Sequence, residues 1–239
     1  MISLMSDIFL LRHRSGAGPP SNHLSTSGAP VDAVPEEPPP PVAPSFRLLF
    51  VCTGNMCRSP IAERLMVAAL GGGSRIVVES AGTAAMPGSR MTPEAVRVLA
   101  EKGAGPGGFT ARRLTSQLVG EADLVLAATR EHRARVVSLY PPAAVRVFTI
   151  VEFGTLAEAV RPGRVTRYTD PVERARGLLA EVHMLRGLVR VDQPDVADPY
   201  GCSMRAYRIS ARRISGALAA PLDLLTAGIT HPQELCSPG

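Results

Sequence analysis

A thiol and a guanidinium six positions apart are the residues of this chain best suited to chemistry. They are Cys52 and Arg58, in the stretch Cys52-Thr53-Gly54-Asn55-Met56-Cys57-Arg58-Ser59-Pro60. Holding a phosphate dianion requires backbone amides to converge on its oxygens, at dihedral angles most residues avoid. Gly54 and Asn55 are residue types that tolerate such angles. The stretch runs into a helical pattern, whose free first-turn amides and partial positive charge favour an anion. Pro60 suits a first helical turn, and the planar fork of Arg58 matches two phosphate oxygens at once. The helix terminus, Arg58 and the Ser59 hydroxyl would all favour a thiolate at Cys52. The pattern predicts nucleophilic attack on phosphorus by Cys52. Arg58 and the loop residues Thr53, Gly54, Asn55, Met56, Cys57 and Ser59 would bind the phosphate. A Cys and an Arg at this spacing are common in proteins that use neither. The apolar strand before, Gly-Asn inside and Ser-Pro after make this instance specific.

Expelling a poor leaving group needs a proton donor, and hydrolysing a phosphorylated cysteine needs a base; one carboxyl group can serve both steps in turn. Two Asp-Pro pairs are available. Asp170 heads a helical pattern with Glu173 three residues on, so helix capping explains it. Asp198 stands in a loop with Tyr200 two residues later, an aromatic able to pack against a substrate ring. Asp198 is therefore the expected general acid and base. Cys57 reads equally as a redox partner for Cys52 or as a small packing residue. Cys202 falls near the expected site, Cys236 carries little information, and the five His residues read as surface or packing groups.

The elements that must position these groups follow from hydrophobic periodicity. Apolar runs at 47–51, 75–79, 123–127 and 145–150 read as strands. Helical patterns cover 60–70, 92–102, 130–139, 170–185 and 203–225, with Gly71-Gly72-Gly73 and Pro141-Pro142 as stops. Alternation of strand and helix predicts an α/β fold, a four-stranded parallel sheet with helices on both faces. Ligands bind such sheets at the carboxyl ends of strands, where the loop after Val51 lies.

Residues 1–45 are rich in Pro, Gly, Ser and Ala and are expected to be a disordered leader. The domain is expected over 46–228, with a helical insertion at about 157–190 and a disordered tail at 229–239. A net charge of +5 from 26 basic and 21 acidic residues, without a concentrated basic stripe, argues against nucleic acid. Four cysteines without zinc-type spacing suggest a reducing, cytoplasmic compartment and no metal. The first apolar stretch precedes its basic residues and is too short for a span, so neither export nor a membrane anchor is expected.

Val51 to Pro60 resembles the Val-Cys-x-Gly-Asn-x-Cys-Arg-Ser-Pro signature of the low-molecular-weight protein tyrosine phosphatases. Glu79-Ser80-Ala81-Gly82-Thr83 resembles that family's second-strand motif, and Asp198-Pro199-Tyr200 its acid loop. The resemblance spans residues 46 to about 227. It implies a phosphocysteine intermediate on Cys52, a phosphorylated protein as substrate, phosphotyrosine as the group hydrolysed, and no cofactor. It also implies that Asn55 and Ser80 brace the loop. Two positions depart from the pattern. Phe109 stands where many relatives carry a His bonded to that brace, which implies a weaker or differently arranged support, and Gly201 replaces a frequent second Tyr. Arsenate reductases share the fold and loop but need a placed relay Cys, for which Cys202 and Cys236 are not an obvious pair, or an external low-molecular-weight thiol. Phosphoarginine hydrolysis occurs in relatives with a loop Thr where Met56 stands here. A noncatalytic phosphate-binding regulatory module is the remaining alternative.

Overall fold

The computed structural model describes residues 45–227. The expected leader, apart from Ser45, the expected tail and Cys236 lie outside the described residues. The strands are β1 (Phe46–Cys52), β2 (Ile76–Gly82), β3 (Leu124–Ala127) and β4 (Val147–Thr149). They form one parallel sheet in the order β2-β1-β3-β4. The helices are α1 (Arg58–Leu70), α2 (Pro93–Glu101), α3 (Ser116–Glu121), α4 (Arg130–Leu139), α5 (Ile150–Glu158), α6 (Gly163–Thr166), α7 (Pro171–Leu185) and α8 (Met204–Thr226).

Side chains along β1 alternate between the faces of the sheet, as a period of two requires. Leu48 and Phe50 join a large core with Leu126 and Phe148, against helices that contribute Ile61, Leu99, Leu156, Leu178 and Ile214. Leu49 and Val51 join a smaller core with Val125, Val119 and Val136, under α3 and α4. Both faces are covered, which explains why the strands read as continuous apolar runs. The chain leaves β1 toward β2 on one side and reaches β3 on the other. The carboxyl end of β1 therefore lies at the switch point of the sheet.

Several boundaries differ from expectation. Strand β2 runs on to Gly82 because its last residues pair with β1 up to Cys52. Strand β4 is only 3 residues long. Thr149 leaves the strand as the cap of α5, its hydroxyl accepting from Glu152 N while the Glu152 carboxylate accepts from Thr149 N. Pro141 to Arg146 form a 3-10 turn ahead of β4, and α3 and α6 are short helices that periodicity did not signal. Ile209, read as an apolar-face residue of α8, is exposed, while Tyr207, Ile214, Leu218 and Leu225 are buried.

The segment 157–190 contains α6 and α7. Asp170 caps α7, accepting from Val172 N and Glu173 N, and ion-pairs with Arg75 just before β2. That places Asp170 at the amino end of the sheet, opposite Cys52. Val172, Ala175, Leu178 and Val182 bury α7 in the larger core, and no α7 residue lines the cavity beside Cys52.

Candidate active site

Cys52 ends β1, is 2% exposed, and opens a loop that closes at Arg58, the first residue of α1. Cys57 holds the cap position and makes no side-chain cap bond, and no acidic residue lies in the first turn. The helix end is thus left to an external anion. The left-handed backbone of the loop falls on Asn55 (φ 53°). Gly54, expected to share it, lies outside that region. Gly82 has a different requirement. A Cβ there would stand 2.4 Å from the Thr53 carbonyl and 2.8 Å from Asn55 N, so only glycine lets the end of β2 pass this close. The loop is held there by Thr83 N donating to Cys52 O and Ala84 N to Thr53 O, each at 2.9 Å.

Beneath the loop, Asn55 directs a set of protons. Its Oδ1 accepts from Arg112 N at 2.8 Å, which fixes the amide orientation. Its Nδ2 donates to Ser59 Oγ at 2.9 Å and Ser80 Oγ at 2.7 Å. Ser80, having accepted, donates to Glu63 Oε2 at 2.6 Å. Ser59, having accepted, has its proton free for Cys52 Sγ at 2.9 Å; the Ala81 carbonyl is more distant at 3.5 Å. The network therefore aims a donor at the sulfur. Phe109 packs half-buried against the core, and among the described residues the partners of the Asn55 side chain are Arg112 N, Ser59 and Ser80. Burial pushes the Glu63 carboxyl above the usual range.

Arg58 is 4% exposed. Its Nη2 donates to Asp198 Oδ2 at 2.6 Å and to Thr53 Oγ1 at 3.1 Å, and its Nη1 to Val196 O at 3.2 Å. Its buried Nε has no partner among the described residues, so the fork retains a donor of the kind a bidentate anion takes. Asp198 is half-exposed, and its Oδ1 accepts from Tyr200 N at 3.2 Å. Gly201 (φ 72°) turns the chain after Tyr200, a reason for glycine at that position. Two tethers secure this loop to β3 and α4: Val196 N donates to Ala128 O at 2.8 Å, and Asp195 pairs with Arg130.

A cavity of about 190 Å³ lies over the loop, lined by Cys52, Thr53, Gly54, Met56, Cys57, Arg58, Asp198 and Tyr200. Asn55, Ser59 and Ser80 are not among its walls and serve from below. Met56 and Tyr200 supply apolar and aromatic surface at the opening, Tyr200 being 63% exposed. The Cys57 thiol faces inward, 3.4 Å from the Tyr207 hydroxyl and 3.6 Å from Thr92 Oγ1, and burial pushes its pKa up. Two groups escaped sequence reading. Glu63 sits one helical turn beyond Ser59, a spacing that could have flagged it. His132, read as a surface or packing residue, is buried and hydrogen-bonds Thr53 Oγ1 at 2.8 Å. No motif marks that contact.

Residues 47–162 match the family model described as low molecular weight phosphotyrosine protein phosphatase. The chain is 41% identical over 109 residues to a protein-arginine-phosphatase of Bacillus subtilis, covering 45% of this chain and 72% of that one. It is 35% identical over 144 residues to a probable low molecular weight protein-tyrosine-phosphatase, EpsP, of Ralstonia nicotianae, covering 59% and 97%. Among solved structures, a mutant of YwlE from Bacillus subtilis superposes with a TM-score of 0.55 at 30% identity, covering 76% of this chain and 99% of that one. A low molecular weight protein tyrosine phosphatase from T. tengcongensis gives a TM-score of 0.56 at 32% identity, covering 75% and 99%.

Proposed function

Given that the chain belongs to the low molecular weight phosphotyrosine protein phosphatase family and is a phosphoric monoester hydrolase, we propose that it hydrolyses phosphotyrosine in proteins through a phosphocysteine on Cys52. Cys52 Sγ attacks phosphorus; the S–P bond forms as the bond to the phenolic oxygen breaks, and Asp198 gives that oxygen its proton. Water then attacks phosphorus, Asp198 takes a proton from it, the S–P bond breaks, and inorganic phosphate leaves. Arg58 and the amide end of α1 neutralise charge on the phosphoryl oxygens in both steps. Ser59, oriented by Asn55, stabilises the sulfur as nucleophile and again as leaving group.

The observation that carries the choice of substrate is the pairing of Met56 and Tyr200 at the opening of the Cys52 cavity. An aryl ring between them gains apolar contact and ring packing, whereas a guanidinium there would face Met56 in place of a polar partner. Phosphoarginine is the second reading, favoured by similarity to the protein-arginine-phosphatase of Bacillus subtilis. Wild type and Cys52→Ser are to be assayed in parallel on phosphotyrosine and phosphoarginine peptides and on arsenate with thiol. The expected result is turnover of the phosphotyrosine peptide by wild type and none by Cys52→Ser. Preferred turnover of phosphoarginine, or activity surviving in Cys52→Ser, overturns the proposal.

A further inference from the structure

The histidine under Thr53 has no part in the steps above, yet both of its ring nitrogens are bonded. His132 Nδ1 lies 2.7 Å from Thr129 Oγ1, the cap of α4, which also accepts from His132 N at 3.3 Å. Nε2 lies 2.8 Å from Thr53 Oγ1. A ring held at both nitrogens cannot turn, and it belongs to the first turn of a capped helix. Thr53 differs: its carbonyl is pinned by Ala84 N, but its side chain is exposed and free to choose among rotamers. The hydroxyl that meets His132 is the same one that accepts from Arg58 Nη2 at 3.1 Å.

We propose that His132 is a positioning residue for the phosphate site, holding Thr53 in the rotamer whose hydroxyl oxygen accepts from Arg58 Nη2, the nitrogen that also pairs with Asp198. The role follows from the pattern of bonds. When a phosphate dianion replaces Asp198 on the Arg58 fork, Thr53 and Val196 O are the contacts left to define the guanidinium plane. Without His132, Thr53 can rotate toward solvent and the fork loses one of them. Either ring tautomer serves, since each hydroxyl can donate or accept. Around His132 stand Arg58 from α1, Asp195 and Asp198 from the acid loop, and Glu131 on its own helix. Burial, aided by Arg58, holds its pKa below the ordinary histidine value, so the neutral ring, with one donor and one acceptor, is the resting form.

This inference rests on the proposed role of Arg58, and its test separates the two. Inhibition of p-nitrophenyl phosphate hydrolysis by inorganic phosphate is measured for wild type, His132→Leu, His132→Gln, Thr53→Val and the Thr53→Val/His132→Leu double variant. Thermal melts accompany the kinetics. His132→Leu should raise the phosphate Ki about five- to tenfold, the loss of roughly one hydrogen bond. His132→Gln, whose amide reaches Thr53 with either a donor or an acceptor, should recover most of it. Thr53→Val should match His132→Leu, and the double variant should add nothing further. An unchanged Ki in His132→Leu overturns the inference, as does equal loss in His132→Gln or a second full loss in the double variant. If His132→Leu does not fold, His132→Gln and Thr53→Val decide by the same criteria. Lack of turnover by wild type would instead count against the proposed function. In that event calorimetric binding of inorganic phosphate by the same variants, read by the same criteria, decides the role of His132.

Discussion

Arg58 Nη2 and Asp198 Oδ2 lie 2.6 Å apart, joining the cation proposed to hold the phosphate to the carboxylate proposed to protonate the leaving oxygen. Before substrate arrives, the two satisfy each other. In the proposed mechanism a phosphate dianion takes over the guanidinium, and doing so releases Asp198 toward the leaving group.

That exchange can be measured in Asp198→Asn. Removing the acid should lower kcat by about a hundredfold or more. Removing the competing charge should also lower the Ki for inorganic phosphate, because Arg58 no longer gives up a carboxylate. Steady-state kinetics with phosphate as inhibitor test both. An unchanged kcat would remove Asp198 from the mechanism, and a raised Ki would show that its carboxylate does not compete.

Glu63 ties folding stability to pH. Burial raises its pKa in the folded protein, so the folded state binds the proton more tightly than the unfolded chain. The resulting stability is present in full below the ordinary glutamate pKa and is lost as pH rises through the folded value. At pH 7 the buried charge is therefore a cost. Glu63→Gln, which still accepts from Ser80, should melt higher than wild type at pH 7, with the gap closing below about pH 4.5. Denaturation midpoints across pH 4–8 check this; a gap independent of pH would mean that Glu63 carries no such penalty.

Cys57 is the third case. Its buried thiol, bonded to Tyr207 and Thr92, is mostly protonated near neutrality. After peroxide converts Cys52 to a sulfenic acid, attack by Cys57 would form the disulfide and release water, and the attacking species is the thiolate. The resolving step should therefore speed up by about tenfold per pH unit between pH 7 and 9. Mass spectrometry after a peroxide pulse follows it. A flat profile would leave Cys57 with a packing role alone.

Much of the site could be read along the chain because its parts are contiguous. Cys52 to Pro60 supply the proposed nucleophile, a turn, a cation and a helix start within nine residues, and Asp170 could be set aside because capping is a local pattern. Local patterns were also missed. Thr149 and Glu152 form a capping box that an apolar run concealed, and the short helices α3 and α6 and the 3-10 turn lacked the length over which periodicity becomes visible. Glu63 lies one turn beyond Ser59, a local clue that went unread, and its partner Ser80 stands on β2. His132 was illegible for another reason: it reaches the loop from α4, and only its hydrogen bond to Thr53 marks it.

Sequence by itself determined the strand, the loop and the helix start that carry Cys52 and Arg58, the pair to which the proposed chemistry is assigned. Backbone conformation and helix polarity act over a few residues, and those are written in order. Tertiary structure alone decided that Asp198 meets Arg58 140 positions away, that the Arg112 backbone N–H meets Asn55, and that His132 lies under Thr53. Such contacts depend on how strands are ordered in the sheet and which loops converge at its switch point. Chain spacing carries no record of those distances, because folding brings together groups that no local rule relates.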